Sequence, residues 1–257
     1  MKISVLAENT SSCGFPVEHG LSLYIETGDK KILFDTGQSG LFSENARRLG
    51  IDLSGVDIAV LSHGHYDHGG GIRRFLEINK SAEVYMSKYA FGSYYNSGDK
   101  YIGIDSGLID SGRISLTEAY TSLAENIELH SCAGRQKYID MGSAGLKMKS
   151  GSALVPDDFI HEQCLVIIEN NRRILFSGCS HNGVINIVRW FRPDVLVGGF
   201  HFSKLSPGEP LRAYAKELGS YGISYYTCHC TGKEQYEYIK KYVDDISYIS
   251  TGQTIEI

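Results

Sequence analysis

Short apolar runs alternate with amphipathic stretches along most of the chain. Lys2–Glu8 predicts a strand, and Gly20–Glu26 and Lys30–Asp35 predict two more joined by a Thr27-Gly28-Asp29 turn, a hairpin pattern. Leu41–Leu49 has helical spacing and stops at Gly50. Val56–Leu61 is an apolar run but for Asp57, the pattern of a strand buried on both faces. Gly71–Asn79 then predicts a helix and Glu83–Met86 a strand. The second half repeats the order: strands Gln163–Glu169 and Arg172–Phe176 around an Asn170-Asn171 turn, a helix over Gly183–Phe191, and a strand over Asp194–Val197. A helix over Leu211–Leu218, a strand over Ile223–Thr227 and a helix over Lys233–Val243 follow, and strands Ile246–Ile249 and Thr254–Ile257 close the chain.

Both halves thus run as a hairpin followed by alternating helix and strand. Each would form a sheet covered by helices. The expected fold is α/β, a four-layer αβ/βα sandwich over residues 1–257 as one domain, with a site at one edge between the sheets. Two stretches do not fit regular elements and are expected to hang over that edge as irregular loops. Residues 87–112 carry Tyr89, Tyr94, Tyr95 and Tyr101 among glycines, and residues 134–160 are rich in Gly, Ser and Lys.

Composition narrows the function class. The 257 residues are 42% hydrophobic and 21% charged, ordinary for a globular protein. Net charge is −5 and basic residues fall in isolated pairs such as Arg47-Arg48, which argues against a nucleic-acid partner. MKISVLAENT lacks the apolar core of a signal peptide, and the apolar runs fall far short of the roughly 20 residues that span a bilayer. A cytoplasmic location without membrane contact is expected. The six cysteines, at 13, 132, 164, 179, 228 and 230, are scattered. In a reducing compartment they are core residues, ligands or reactive thiols rather than disulfides.

The chemistry concentrates after the buried run, at His63-Gly64-His65-Tyr66-Asp67-His68. Neutral imidazole and carboxylate together suit zinc, iron or manganese. Alternate residues of an extended segment point the same way, so His63 and His65 can share one cation. A turn would then aim Asp67 and His68 at a second. A chance cluster of surface histidines is the competing reading, at odds with this density.

HGHYDHGGG resembles the HxHxDH signature of the metallo-β-lactamase superfamily, and LFDTG at 33–37 resembles its strand-end Asp motif. FSGCSHNG at 176–183 sits where that family has a strand ending in a metal-bridging Asp, and YTCHCTG at 226–232 where it has its final ligand histidine. With GGFH at 198–201, these segments are similar to a subgroup often called dihydropteroate-synthase-like, which includes archaeal enzymes joining a pterin to a ribofuranosyl-aminobenzene phosphate. The resemblance implies two divalent metal ions, zinc first and iron or manganese as rivals, on His63, His65, Asp67, His68 and His229.

Cys179 departs from the pattern by replacing the bridging Asp. It is either a soft ligand favouring zinc or ferrous iron, or a small buried residue at a strand end. The middle ligand has no clean motif, and His161 is the candidate, with Glu162 as rival. Asp35 either orients a ligand histidine or forms a turn. His181 and His201 are ligands, substrate contacts or general acids, or else hydrogen-bonded structural residues. Cys228 and Cys230 are a redox pair, a metal clamp or simple packing. Arg135, Lys137, Lys147 and Lys149 bind an anion or are solvated, and the four loop tyrosines stack on a heterocycle or pack the loop.

The leading expectation is a two-metal hydrolase of a small-molecule ester, amide or phosphoester, with hydroxide from a metal-bound water as nucleophile, Asp67 orienting it, and His181 or His201 protonating the leaving group. The alternative is a metal-dependent transferase joining a pterin to a ribosyl-aminobenzene phosphate, which makes the substrate phosphorylated or heteroaromatic. Diiron redox chemistry usually places Glu at the second His of the motif, so His65 argues against it. A non-catalytic metal sensor built on Cys228 and Cys230 is the last reading.

Overall fold

The computed structural model describes residues 1–11 and 14–257, which leaves Cys13 outside the described residues. Two seven-stranded sheets face each other. The first runs, in spatial order, Thr254–Glu256, Lys2–Ala7, Ser22–Thr27, Lys30–Phe34, Ile58–Val60, Glu83–Ser87 and Ile114–Thr117. The second runs Ile246–Tyr248, Ser224–Thr227, Val195–Gly198, Arg172–Ser177, Gln163–Glu169, Ile127–Ser131 and Tyr120–Ala124.

Side chains alternate across each strand, and both faces are covered. Ile32 and Phe34 point inward with Ile25 and Val60, and meet Leu165, Ile174 and Phe176 from the other sheet. Phe34 and Phe176 touch with ring centroids 5.9 Å apart. Leu33 and Ala59 point outward onto Phe42, Ala46 and Phe75 of the helices Leu41–Arg48 and Ile72–Ile78. On the far side Leu175 and Leu196 meet Val184 and Val188 of the helix Val184–Phe191, and Leu211 and Leu218 of the helix Leu211–Gly219. This is the four-layer αβ/βα arrangement, and double coverage explains why its central strands read as continuous apolar runs.

The hairpin turns follow their chemistry. Asn170 and Asn171 both have positive φ, at 52° and 58°, as a two-residue turn between strands with right-handed twist requires. Departures from the predicted elements cluster where strands are exposed. Ile114–Thr117 and Tyr120–Ala124 carry no strand prediction, because they are edge strands with little buried surface. The two stretches expected to be irregular are partly ordered. Lys147–Ser150 pairs with Ala153–Pro156 as a hairpin and, on its other edge, with Tyr94–Tyr95. KMKS has no apolar alternation to announce a strand. Among the described residues no helix is long and apolar enough to cross a membrane.

Asn186, on the helix Val184–Phe191, fastens part of the second stretch. Its side-chain oxygen accepts from the backbone N–H groups of Tyr138 and Ile139 at 2.8 and 3.0 Å, and its amide donates to the Ile139 and Asn182 carbonyls at 2.7 Å each. Asn186→Leu would strand those groups, at a cost of roughly 2–3 kcal/mol. The expected outcome is a lower urea midpoint together with faster amide exchange at Tyr138 and Ile139; unchanged exchange there would refute the fastening role.

Candidate metal centre

The site forms where strands of both sheets end. Lys30–Phe34 and Ile58–Val60 run parallel in one sheet, and Arg172–Ser177, Val195–Gly198 and Ser224–Thr227 run parallel in the other. The residues after these ends turn sharply. Asp35, Ser180, His201 and His229 have φ of 59°, 55°, 56° and 51°, left-handed values that non-glycine residues adopt at a cost of about 1–3 kcal/mol each. Such strain gathers where side chains must converge.

The HGH segment is shaped by Gly64, where a Cβ would run into the Ala90 carbonyl. His63 and His65 lie side by side with ring centroids 4.6 Å apart. The chain then enters a short helix, Tyr66–Gly69, which swings Asp67 and His68 round.

Hydrogen bonds behind the rings fix their tautomers. Asp35 is fully buried and accepts from the Ser62 N–H, the Ser62 hydroxyl and His68 Nδ1, each at 2.7 Å. Since a carboxylate only accepts, the Ser62 proton goes to Asp35, and the Ser62 oxygen accepts from His63 Nδ1 at 2.9 Å. His229 Nδ1 donates to Asn9 Oδ1 at 2.7 Å. The Nε2 atoms of His63, His68 and His229 therefore turn their lone pairs inward. His68 Nε2 and His229 Nε2 are 3.2 Å apart, and His63 Nε2 and His181 Nε2 3.3 Å. For His68 and His229, whose Nδ1 protons are committed elsewhere, facing lone pairs at that distance require a positive species between them. In addition, His65 Nε2 and His181 Nδ1 are buried without hydrogen-bond partners.

Cys179 Sγ is 3.2 Å from His68 Nε2. It belongs to two groups of three whose ligand atoms lie within 4.8 Å of one another, one with His63 and His181 and the other with His68 and His229. Asp67 joins His229 and His19 in a further group. These donor sets, imidazole nitrogen with a shared sulfur, fit zinc or ferrous iron.

His161 stands apart from these groups, clustering instead with His65 and Asp157. Its Nδ1 accepts from the Gly64 N–H at 2.9 Å and its Nε2 donates to Asp157 at 3.3 Å, so both ring nitrogens have protein partners. Glu162 accepts the N–H groups of His181 and Asn182 at 2.7 and 2.8 Å. The structure thus brings His181, not His161 or Glu162, beside His63 and Cys179, with Glu162 holding the turn that presents it. His201 lies against His181, ring centroids 4.4 Å apart.

A cavity of about 330 Å³ opens onto this cluster, lined by His19, Asp67, Cys179, His201, Lys204 and others. Asn96 and Leu146 bring both loop stretches to its wall. Tyr89, Tyr94, Tyr95 and Tyr101 do not line it; Tyr94 stacks on His161 at 3.9 Å. Lys137 and Lys149 lie outside the lining too, Lys147 pairs with Asp99 at 2.6 Å, and Arg135 sits over the Phe191 ring at 4.5 Å. Cys230 lines the cavity, whereas Cys228 is fully buried. His19, Asn9 and Lys204 carry no motif and had no signal in the sequence.

Burial, reinforced by neighbouring imidazoles, holds His63 and His181 well below the ordinary histidine pKa. Burial and the Lys204 ammonium bring His201 down to about 4. Burial opposes charge on His68 too, but Asp35 and Asp67 outweigh it and raise its pKa. Burial also opposes charge on Asp67, yet His68, His19 and His229 keep it ionised. Burial and Cys230 push the Cys179 thiol well above its usual value.

Residues 16–218 match the model of the metallo-β-lactamase superfamily. The chain belongs to that superfamily. Among superfamily structures, it is similar to Tm1679, described as a metal-dependent hydrolase, with 30% identity, coverage of 100% of this chain and 99% of the other, and a TM-score of 0.85. It is 30% identical over 239 residues to the uncharacterized protein MJ0448 of Methanocaldococcus jannaschii, covering 90% of each. It is 27% identical to the 7,8-dihydropterin-6-methyl-4-(β-D-ribofuranosyl)-aminobenzene-5′-phosphate synthase of the same organism, covering 100% of this chain and 96% of that one. Superfamily members are mostly metal-dependent hydrolases, and the donor groups described above are the candidate metal sites of this chain.

Asp35→Asn tests the orienting network. An amide cannot accept all three hydrogen bonds, and His68 loses the partner that fixes its tautomer. Zinc affinity, measured by chelator competition, is expected to fall about 10–100-fold although Asp35 touches no metal. Unchanged affinity would remove Asp35 from the account.

Proposed function

We propose that this chain is a hydrolase of a small-molecule ester, amide or phosphoester, working with two divalent cations, zinc by preference. The placement of Cys179 Sγ between His63 and His181 on one side and His68 and His229 on the other carries this reading. Cations held there supply Lewis acidity and a nucleophile from water at neutral pH. His65 completes the first side, and Asp67, steadied by His19 at 3.2 Å, faces the cavity where it orients the nucleophile and accepts its proton. His201 is neutral at pH 7, so it serves as a hydrogen-bond donor to the developing oxyanion or leaving group rather than as an imidazolium acid. His181 faces His63 as a ligand.

A second reading, a transferase handling a pterin and a ribosyl phosphate, is supported by the full-length likeness to the archaeal synthase. Likeness at that level is weak evidence for substrate. It requires two co-substrates, so turnover of a single ester by water separates the two readings.

His63→Ala and Asp67→Ala are expected to lose bound zinc by elemental analysis and to reduce ester turnover by about 10³-fold or more; a metal-free variant with full turnover would sink the hydrolase reading. Cys179→Asp should keep zinc, whereas Cys179→Ala should lose at least part of it. Because the Cys179 thiol is protonated in the metal-free protein, zinc binding near pH 7.5 should release its proton, a release that Cys179→Asp abolishes. Calorimetry in two buffers of different ionisation enthalpy reads it, and identical release by both proteins would exclude Cys179 as a ligand.

A further inference from the structure

We propose that the cleft selects substrates carrying a second, unreactive oxyanion, a carboxylate or phosphate, which Lys204 binds beside the metal cluster. The inference rests on the hydrolase reading and adds a substrate class to it. Lys204 lines the cavity over the cluster and also an adjoining one of about 160 Å³, walled by Met141, Phe159 and Leu205. It is the junction between the chamber over the metal-ligand cluster and a mainly apolar one. His181 and His201 are shared by the same two linings.

The ammonium is placed but not neutralised. Its Nζ donates to the Ala144 carbonyl at 2.9 Å, which uses one of its three hydrogens. Among the described residues no carboxylate lies within ion-pair distance of it, whereas Lys88 and Lys147 pair with Glu118 and Asp99 at 2.6 Å each. The loop that supplies the carbonyl is bent to do so: Gly142, Ala144 and Gly145 have φ of 64°, 51° and 82°. Asp67 lines the cavity, while Asp35, Asp157 and Glu162 are held behind the histidines by hydrogen bonds, so Lys204 brings a positive charge to the wall that no carboxylate there neutralises. An anion therefore gains from entering, and two free ammonium hydrogens are ready to receive it. The apolar chamber then takes an uncharged part of the same molecule.

The test compares zinc-loaded wild type with Lys204→Met, which keeps the aliphatic stem, and Lys204→Arg, which keeps the charge. The probes are neutral 4-nitrophenyl butyrate and the anionic mono-4-nitrophenyl glutarate. Loss of one charge-assisted hydrogen bond predicts a KM for the glutarate ester raised about 10–100-fold in Lys204→Met, with kcat and the butyrate constants nearly unchanged and Lys204→Arg close to wild type. Equal effects on both esters would make Lys204 a structural latch on Ala144 and overturn the proposal, as would no effect on either. Calorimetric binding of free glutarate and of inorganic phosphate provides a readout that needs no turnover. If wild type hydrolyses neither ester, weaker binding of an anion by Lys204→Met still supports the oxyanion site and places the failure on the hydrolase reading. Equal binding by wild type and variant overturns the site. The anion that loses affinity on substitution identifies the group.

Discussion

A single buried carboxylate, that of Asp35, sets the direction in which the metal centre faces. It accepts three hydrogen bonds, and two of them, from the Ser62 hydroxyl and His68 Nδ1, settle on which ring nitrogens the protons of His63 and His68 sit. Through Ser62 it governs His63, and directly it governs His68. It also connects the sheets. A Cβ on Gly178 would collide with the Ser62 hydroxyl, so the loop bearing Cys179 seats against the cluster only because that position has no side chain. The seat of Cys179 therefore depends on a carboxylate that its sulfur never touches.

The resulting centre is costly for the polypeptide alone. His63, His68, His181 and His229 are buried, and burial disfavours their charge, so several imidazoles sit neutral with lone pairs aimed at one another. The cost is borne by three apolar cores, one between the sheets and one beneath each helical layer. Strand ends in left-handed conformations add to it. A cation relieves the lone-pair conflict at once, which couples metal binding to the stability of this sheet edge.

Much of this was legible in the sequence because it rests on periodicity and local spacing. Continuous apolar runs marked the doubly covered strands, and HGHYDH marked the segment that brings His63, His65, Asp67 and His68 to the sheet edge, although the expected pairing of His63 with His65 and of Asp67 with His68 is not how the donor atoms group. The exposed edge strands and the Lys147–Ser150 hairpin were not legible, since their pairing leaves no apolar alternation. The choice among His161, Glu162 and His181 was also beyond local spacing. All three lie at the same sheet edge, and only the partners of their polar atoms separate them: Gly64 and Asp157 occupy His161, and the turn at 181–182 occupies Glu162. His19, Asn9 and Lys204 come from loops whose relation to the site is purely three-dimensional.

The superfamily assignment leaves the reaction open, because the cluster offers the same donors whether water or a second substrate attacks. What differs is the surrounding wall. A transferase that stacks a pterin calls for exposed flat surface beside the metals, yet the loop tyrosines are turned to other work, with Tyr94 against His161 and Tyr95 against Tyr101. The wall near the cluster offers Tyr66, polar groups, one unneutralised ammonium and a neutral imidazole, His201. A neutral imidazole suits the stabilisation of negative charge formed during attack, and suits poorly the delivery of a proton from an acid. The wall therefore favours an electrophile that becomes anionic in the transition state over a cationic one, as acyl or phosphoryl transfer to water requires.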